Sequence, residues 1–355
     1  MQAYKILIMG ASYGSLLGAK LALAGHTVKL VCLPPEVEAI NRDGARVRMP
    51  VRGRKDQVEL DTRKLPGKLS ADGPANVNPN DYDLIGLAMT EPQYRSPGAR
   101  ELLDAVAKSR KPAMSIMNMP PLPYLKRIPG LQTDALTSAF ADPTVWQNFD
   151  PACMTLCSPD PQAIRPPDQP VNVLQVTLPT NFKAARFESD AHTAILRKLQ
   201  ADIEASRLDV GGEKIELPVK LKVHDSVFVP LAKWAMLITG NYRCVTKDAA
   251  QTIQQAVHTD LEASRAVYNW VRDLCIKLGA APEDLVPFEK YAAAAKELTR
   301  PSSAARALFN GAPNIERVDR LVQGVAAQHG QRSAVLDATV ALVDARLELN
   351  RKKVA

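Results

Sequence analysis

Hydrophobic positions set the outline of the chain. Ile6 to Met9 is a short apolar run that stops at Gly10, the pattern of a buried strand. Ser15 to Ala24 then carries strong helix formers with Leu16, Leu17, Ala19, Leu21 and Leu23 on its apolar face. Gly25 ends that helix, since glycine tolerates a left-handed cap. Val28 to Cys32 is a second apolar strand, closed by Leu33, Pro34 and Pro35. The opening therefore reads as strand, glycine turn, helix, glycine stop and strand, about the length of a parallel βαβ unit.

The alternation continues. Leu84 to Ala88 reads as a strand, Ala99 to Ser109 as a helix and Ala113 to Met117 as a strand. Residues 119–170 are irregular and Pro-rich (Pro120, Pro121, Pro123 and Pro129 among them) and are expected to form an elaborated loop. Val171 to Leu178 and Ala184 to Phe187 read as strands, Ala191 to Ala205 as a helix, with strands near Lys214 to Val223. From about Phe228 only helical patterns remain: 229–239, 248–278, 301–309 and 314–349. The expected architecture is α/β: an N-terminal Rossmann-type doubly wound sheet and a C-terminal all-helical domain. The first domain is assigned to 1–224, with the insertion at about 119–170, and the second to 225–355.

Bulk chemistry narrows the function. The chain has 355 residues, enough for about two domains. Its net charge of +7 suits an anionic ligand. Nucleic acid is not expected: aromatics make up 5%, and the densest basic stretch, Arg46 to Lys55, is broken by Met49, Pro50, Val51 and Gly53. Cys32, Cys153, Cys157, Cys244 and Cys275 form no CxxC, and no metal cluster is apparent. An odd cysteine count with no signal-peptide pattern points to the cytoplasm, and no apolar run is long enough to span a membrane.

The candidate chemistry begins at Gly10-Ala11-Ser12-Tyr13-Gly14-Ser15, on the first strand-to-helix turn. A dinucleotide site needs small residues there, for a tight turn, for approach of pyrophosphate to backbone and for close helix–strand packing. Amides at the helix start then face the anion. Against GxGxxG, Gly10 fits, Ser12 and Ser15 replace the later glycines, and Gly14 and Gly18 add room. The end of the second strand, Cys32 to Pro35, has neither an acid for a ribose diol nor an arginine for a 2′-phosphate, so NADP and NAD both stay open.

The opening GASYGSLLGAKLALAGHTVKLV resembles the N-terminus of the ketopantoate reductase family. The similarity continues at YDLIGLAMTEPQY, MSIMNM, LAKWAMLITGN and RPSSAARALFNGAPNIERVDRLVQGVAAQHG, in the family's order and across both domains. It implies reduction of a 2-oxo acid by NADPH with a lysine from the helical domain. Lys233 matches that lysine. Asn118, Asn241, Ser302 and Ser303 match substrate-binding positions, and Thr90 falls near a family lysine on the nucleotide side. The chain departs from the pattern at Leu237 (an asparagine in the family) and at Leu33 (the cofactor arginine). It departs again at Arg317, where the family's glutamate aligns, with Glu316 one place away.

The expected activity is therefore NAD(P)H-dependent reduction of a 2-oxo acid or a related carbonyl or imine. A catalytically silent dinucleotide-binding redox sensor or scaffold is the alternative. Expected partners are a small anionic substrate and a second copy of the chain, with no nucleic acid and no membrane.

Overall fold

A computed structural model describes residues 3–354. The chain divides into two compact units. The first contains the stretch ending at Met89, Gln93–Met117 and Val145–Asp225; the second contains Thr90–Pro92, Asn118–Thr144 and the stretch from Ser226 onward.

The first unit opens with β1 (Lys5–Met9), α1 (Tyr13–Leu23) and β2 (Thr27–Val31), then α2 (Pro34–Asp43), β3 (Arg46–Met49), β4 (Val58–Asp61) and β5 (Lys68–Asp72). It continues with β6 (Leu84–Leu87), α3 (Ala99–Ser109) and β7 (Ala113–Ile116). After a helical turn of the second unit, α4 (Leu122–Leu125), the chain returns with β8 (Met154–Ser158), β9 (Gln162–Ile164), β10 (Val173–Leu178) and β11 (Phe182–Ala185). The helix α5 (Asp190–Ala205) and the strands β12 (Leu208–Val210), β13 (Glu213–Ile215) and β14 (Leu221–His224) complete it.

Eight strands form the main sheet in the order β14-β11-β8-β7-β6-β1-β2-β5. From β5 to β8 all neighbours are parallel; β11 then runs antiparallel to β8, and β14 parallel to β11. Ile6 pairs with Val28 on one side and Leu84 on the other, so β1 is central, and Ile6 to Met9 are all buried. A strand covered on both faces needs such an unbroken apolar run. Helix α1 lies close to this sheet because two of its positions lack side chains. A Cβ on Gly14 would sit 3.0 Å from Ile8 Cγ2, and one on Gly18 would sit 2.9 Å from Leu69 Cδ1.

A second sheet, β4-β3-β10-β9, has mixed pairing: β3 is antiparallel to β4 and parallel to β10. Of its strands, the sequence pattern pointed only to β10. Its strands β3 (RVRM) and β4 (VELD) bury only alternate residues, and their outward charges pair across the ladder, Arg46 and Arg48 both with Glu59.

The second unit is helical. After α4 it comprises α6 (Lys233–Met236), α7 (Ile253–His258), α8 (Leu261–Lys277), α9 (Phe288–Ala295), α10 (Ser303–Phe309), α11 (Val318–Gln328) and α12 (Ala334–Val354). Side-chain caps start several of them: Asp260 accepts from Ala263 N, and Thr252 forms a capping box with Gln255. Trp234, Tyr268, Phe288 and Tyr291 are buried in its core, with Tyr268 stacked on Tyr291. No helix among the described residues is long and apolar enough to cross a membrane.

Segment 119–170 corrects the expectation of one insertion in the first domain. Asn118–Thr144 joins the helical unit, where Tyr124 donates its hydroxyl to Val227 O. Met154–Ser158 is instead a fully buried strand of the main sheet. Between α4 and β8 the chain forms only short helical turns, such as Thr133–Ala139 and Pro143–Trp146.

Candidate functional site

In the first unit, Gly10 holds φ +103°, which favours glycine, and a Cβ there would lie 2.7 Å from Ala88 O. At Gly10 the turn is thus bare backbone packed against Ala88, the residue after β6. Ser12 occupies the N-cap of α1 without making a side-chain cap, and it is exposed. An uncapped helix start beside a glycine turn fits the diphosphate of a dinucleotide. Ala11 and Ser15 are buried, and Tyr13 packs edge-on against Phe182. The bare Cα of Gly14 faces β1 and β2, so its missing side chain serves close helix–strand packing.

At the end of β2, α2 begins with a box in which Glu36 accepts from Leu33 N at 2.9 Å. The other Glu36 oxygen pairs with Arg165, which follows β9. Burial and the nearby Glu36 push the Cys32 thiol up to about 12, against the opposing charge of Arg165.

In the second unit, residues far apart in sequence converge on Glu316. Its Oε1 accepts from Glu91 N at 3.3 Å and its Oε2 from the Asn118 side-chain amide at 3.4 Å. The backbone of Met119 adds a further bond, and the charge of Lys233 acts on the same carboxyl. Burial is the largest influence and raises the Glu316 pKa above its ordinary value, although the bonds and Lys233 oppose it. Tyr242 fixes the turn that carries Glu316: its buried hydroxyl donates to Glu316 O and accepts from Val318 N.

Lys233 is half-buried at the start of α6. The helix then widens to a π turn over Leu237–Asn241 and tightens over Tyr242–Cys244. Such local widening is frequent at functional sites. Leu237 is buried within it, and Asn241 lies half-buried at its end.

Two residues named from the sequence, Lys233 and Asn118, both interact with Glu316, which stands one place before the position where the family's glutamate aligns. Arg317 instead pairs with the fully buried Asp319 and with Asp344. That pairing leaves Glu316, the preceding residue, to face Asn118. Two acidic partners at Asp319 and Asp344 were the available signal.

Ser302 has a structural role in the helical unit. It is buried, its hydroxyl donates to Asn241 O at 2.6 Å and accepts from Ala305 N at 3.1 Å, so it caps α10 and anchors the π turn. Ser303 is exposed in the first turn of α10. Thr90, expected beside the cofactor, belongs to the helical unit, next to Glu91. Among the described residues, no group of His, Cys, Asp and Glu is arranged to hold a metal.

No family model and no curated protein matches this chain in sequence. Solved structures do match in fold. A 2-dehydropantoate 2-reductase from Methylococcus capsulatus superposes with a TM-score of 0.62 at 17% identity, over 97% of this chain and 96% of that one. A PanE/ApbA family ketopantoate reductase from Ralstonia eutropha JMP134 gives 0.59 at 18% identity, over 98% and 99%. A dimeric ketopantoate reductase from Staphylococcus aureus gives 0.59 at 10% identity, over 98% and 99%. The likeness runs nearly end to end on both sides, and the chain has the fold of the ketopantoate reductases.

Proposed function

We propose that this chain is an NAD(P)H-dependent reductase of a 2-oxo acid or a related carbonyl or imine. The observation that carries this reading is the cluster of Lys233, Asn118 and Glu316, a cation, an amide and a buried carboxyl drawn from three separate segments. The glycine turn at Gly10, with the uncapped start of α1, supports a nicotinamide dinucleotide held by the backbone of Gly10, Ala11, Ser12, Tyr13, Gly14 and Ser15. The reduced cofactor, when bound, supplies hydride to the carbonyl carbon.

The residues of this chain manage the charge and the proton. Reduction builds negative charge on the carbonyl oxygen. The Lys233 ammonium stabilises that charge and donates its proton there. Asn118 and Asn241 orient the substrate through amide hydrogen bonds, and Ser303 contributes a hydroxyl toward its carboxylate. Glu316 positions Lys233 and Asn118. Its raised pKa lets it take up and release a proton closer to neutrality than an ordinary carboxyl. A homodimer is proposed as the working assembly, since one protein of this fold is described as dimeric.

The decisive experiment is oxidation of NADPH or NADH against a panel of 2-oxo acids, followed at 340 nm. Turnover of one member with loss in Lys233→Ala is the expected result. The alternative of a silent dinucleotide-binding protein draws on Leu237 and on the engaged hydroxyl of Ser302. Tight cofactor binding with no turnover across the panel would favour it.

A further inference from the structure

The end of β2 is where a dinucleotide fold chooses its cofactor: an acid there takes the ribose diol, an arginine the 2′-phosphate. Cys32 to Pro35 supply neither. The fold brings one of each to this point by another route. Glu36 stands in the first turn of α2, and Arg165, 129 positions later, pairs with it through Nη1 from the loop after β9.

The two groups are not equally available. Both Glu36 oxygens are engaged, Oε2 by Leu33 N at 2.9 Å and Oε1 by Arg165, and its side chain is only 10% exposed. The Arg165 side chain is 32% exposed. A guanidinium has five N–H donors, so contact with one carboxylate oxygen leaves most of the fork able to meet a phosphate. Leu33 at the helix start is 69% exposed, and Pro34 and Pro35 have no N–H to offer an anion.

We infer that Arg165 is the specificity residue of the cofactor site, taking the adenosine 2′-phosphate of NADP while Glu36 orients its guanidinium. The inference rests on the dinucleotide-binding reading of the Gly10 turn and goes beyond it by naming the residue that selects NADP. A loop from the far side of the small sheet thus replaces the arginine that Leu33 displaces.

The test is titration of NADPH and NADH by nicotinamide fluorescence with three proteins: the wild type, Arg165→Ala and the double variant Arg165→Ala/Leu33→Arg. Wild type should bind NADPH more tightly. Arg165→Ala should weaken NADPH about ten- to hundredfold, as for loss of a charged hydrogen bond, and leave NADH within about twofold. Leu33→Arg, at an exposed position, should restore much of the NADPH affinity. Equal weakening of both cofactors, no weakening, a wild-type preference for NADH, or a failure of Leu33→Arg to restore NADPH overturns the inference and leaves the dinucleotide reading standing. Binding of neither dinucleotide by the wild type removes that reading and the inference together.

Discussion

Asn118 donates its side-chain amide to the carboxylate of Glu316, a residue 198 positions later. The contact joins the segment that follows β7 to the turn that opens α11. Glu91 N meets the other oxygen of the same carboxylate, so two distant segments meet at one acceptor on a third. Tyr242, beside Asn241 on the irregular helix, holds the backbone of that turn. The arrangement makes Glu316 the hub of the cluster, with Lys233 acting on it through charge.

Glu316 should make the protein less stable as pH rises. Burial raises its folded pKa above the ordinary 4.5, so the folded state holds a proton that the unfolded chain has released between those two values. Stability from this group is present below pH 4.5 and is lost as pH rises through the folded pKa. Glu316→Gln removes the titration. The melting temperature of the variant relative to wild type should therefore climb from pH 4 to pH 7, while turnover falls. A difference that stays flat or declines with pH would refute this.

The turn at Gly10 needs a probe that does not disturb the fold. Valine at Gly10 would strain a φ of +103° and press on Ala88 O, and valine at Gly14 would press on Ile8, so both variants confuse folding with binding. Ser12 is exposed and caps nothing. Ser12→Asp introduces a charge suited to a helix N-cap but repellent to pyrophosphate. Binding of NADPH and NADH should both weaken about tenfold or more, with the melting temperature unchanged or higher. Unchanged affinity would place the dinucleotide elsewhere.

Lys20 gives a pH dependence of opposite sign. It is buried in α1, where its ammonium donates to Leu217 O at 3.3 Å and Pro218 O at 3.0 Å. Burial, with Lys220 nearby, lowers its pKa from 10.5 to about 7. Between those values the unfolded chain carries a proton that the folded protein lacks, so stability rises with pH by up to ~1.4 kcal/mol per pH unit. Lys20→Met should remove that slope. Denaturant midpoints at pH 7, 8 and 9 would show it as a wild-type gain that the variant lacks; parallel curves would count against it.

Much of this was legible in the sequence, for reasons that also explain what was not. Ile6 to Met9 announced a buried strand because burial on both faces demands a continuous apolar run. Strands β3 and β4 did not, because each buries only two residues and balances its outward charges across the ladder. The engagement of Glu316 was not legible, because its partners Glu91 and Asn118 lie 225 and 198 positions away. Arg165 was beyond reach of any local pattern, since its partner Glu36 lies across two sheets' worth of chain.

Lys233 carries the most exposed prediction. Its ammonium is proposed to donate the proton and stabilise charge on the substrate oxygen. Lys233→Ala removes both effects, and proton donation alone is worth about 10²–10⁴-fold. Reductase kcat should fall by about that amount. Cofactor affinity should stay within about twofold, because the residues proposed to hold the dinucleotide belong to the other compact unit. Lys233→Arg keeps the charge but cannot release a proton near neutrality, so it should recover little. Asn241→Ala should cost less, since an orienting amide adds no proton. A solvated lysine with no role would instead leave kcat within about twofold. The two outcomes differ by at least ~1.4 kcal/mol in transition-state free energy. Full activity in Lys233→Ala, on whichever substrate is turned over, would mean that this chain keeps the fold while using a different mechanism.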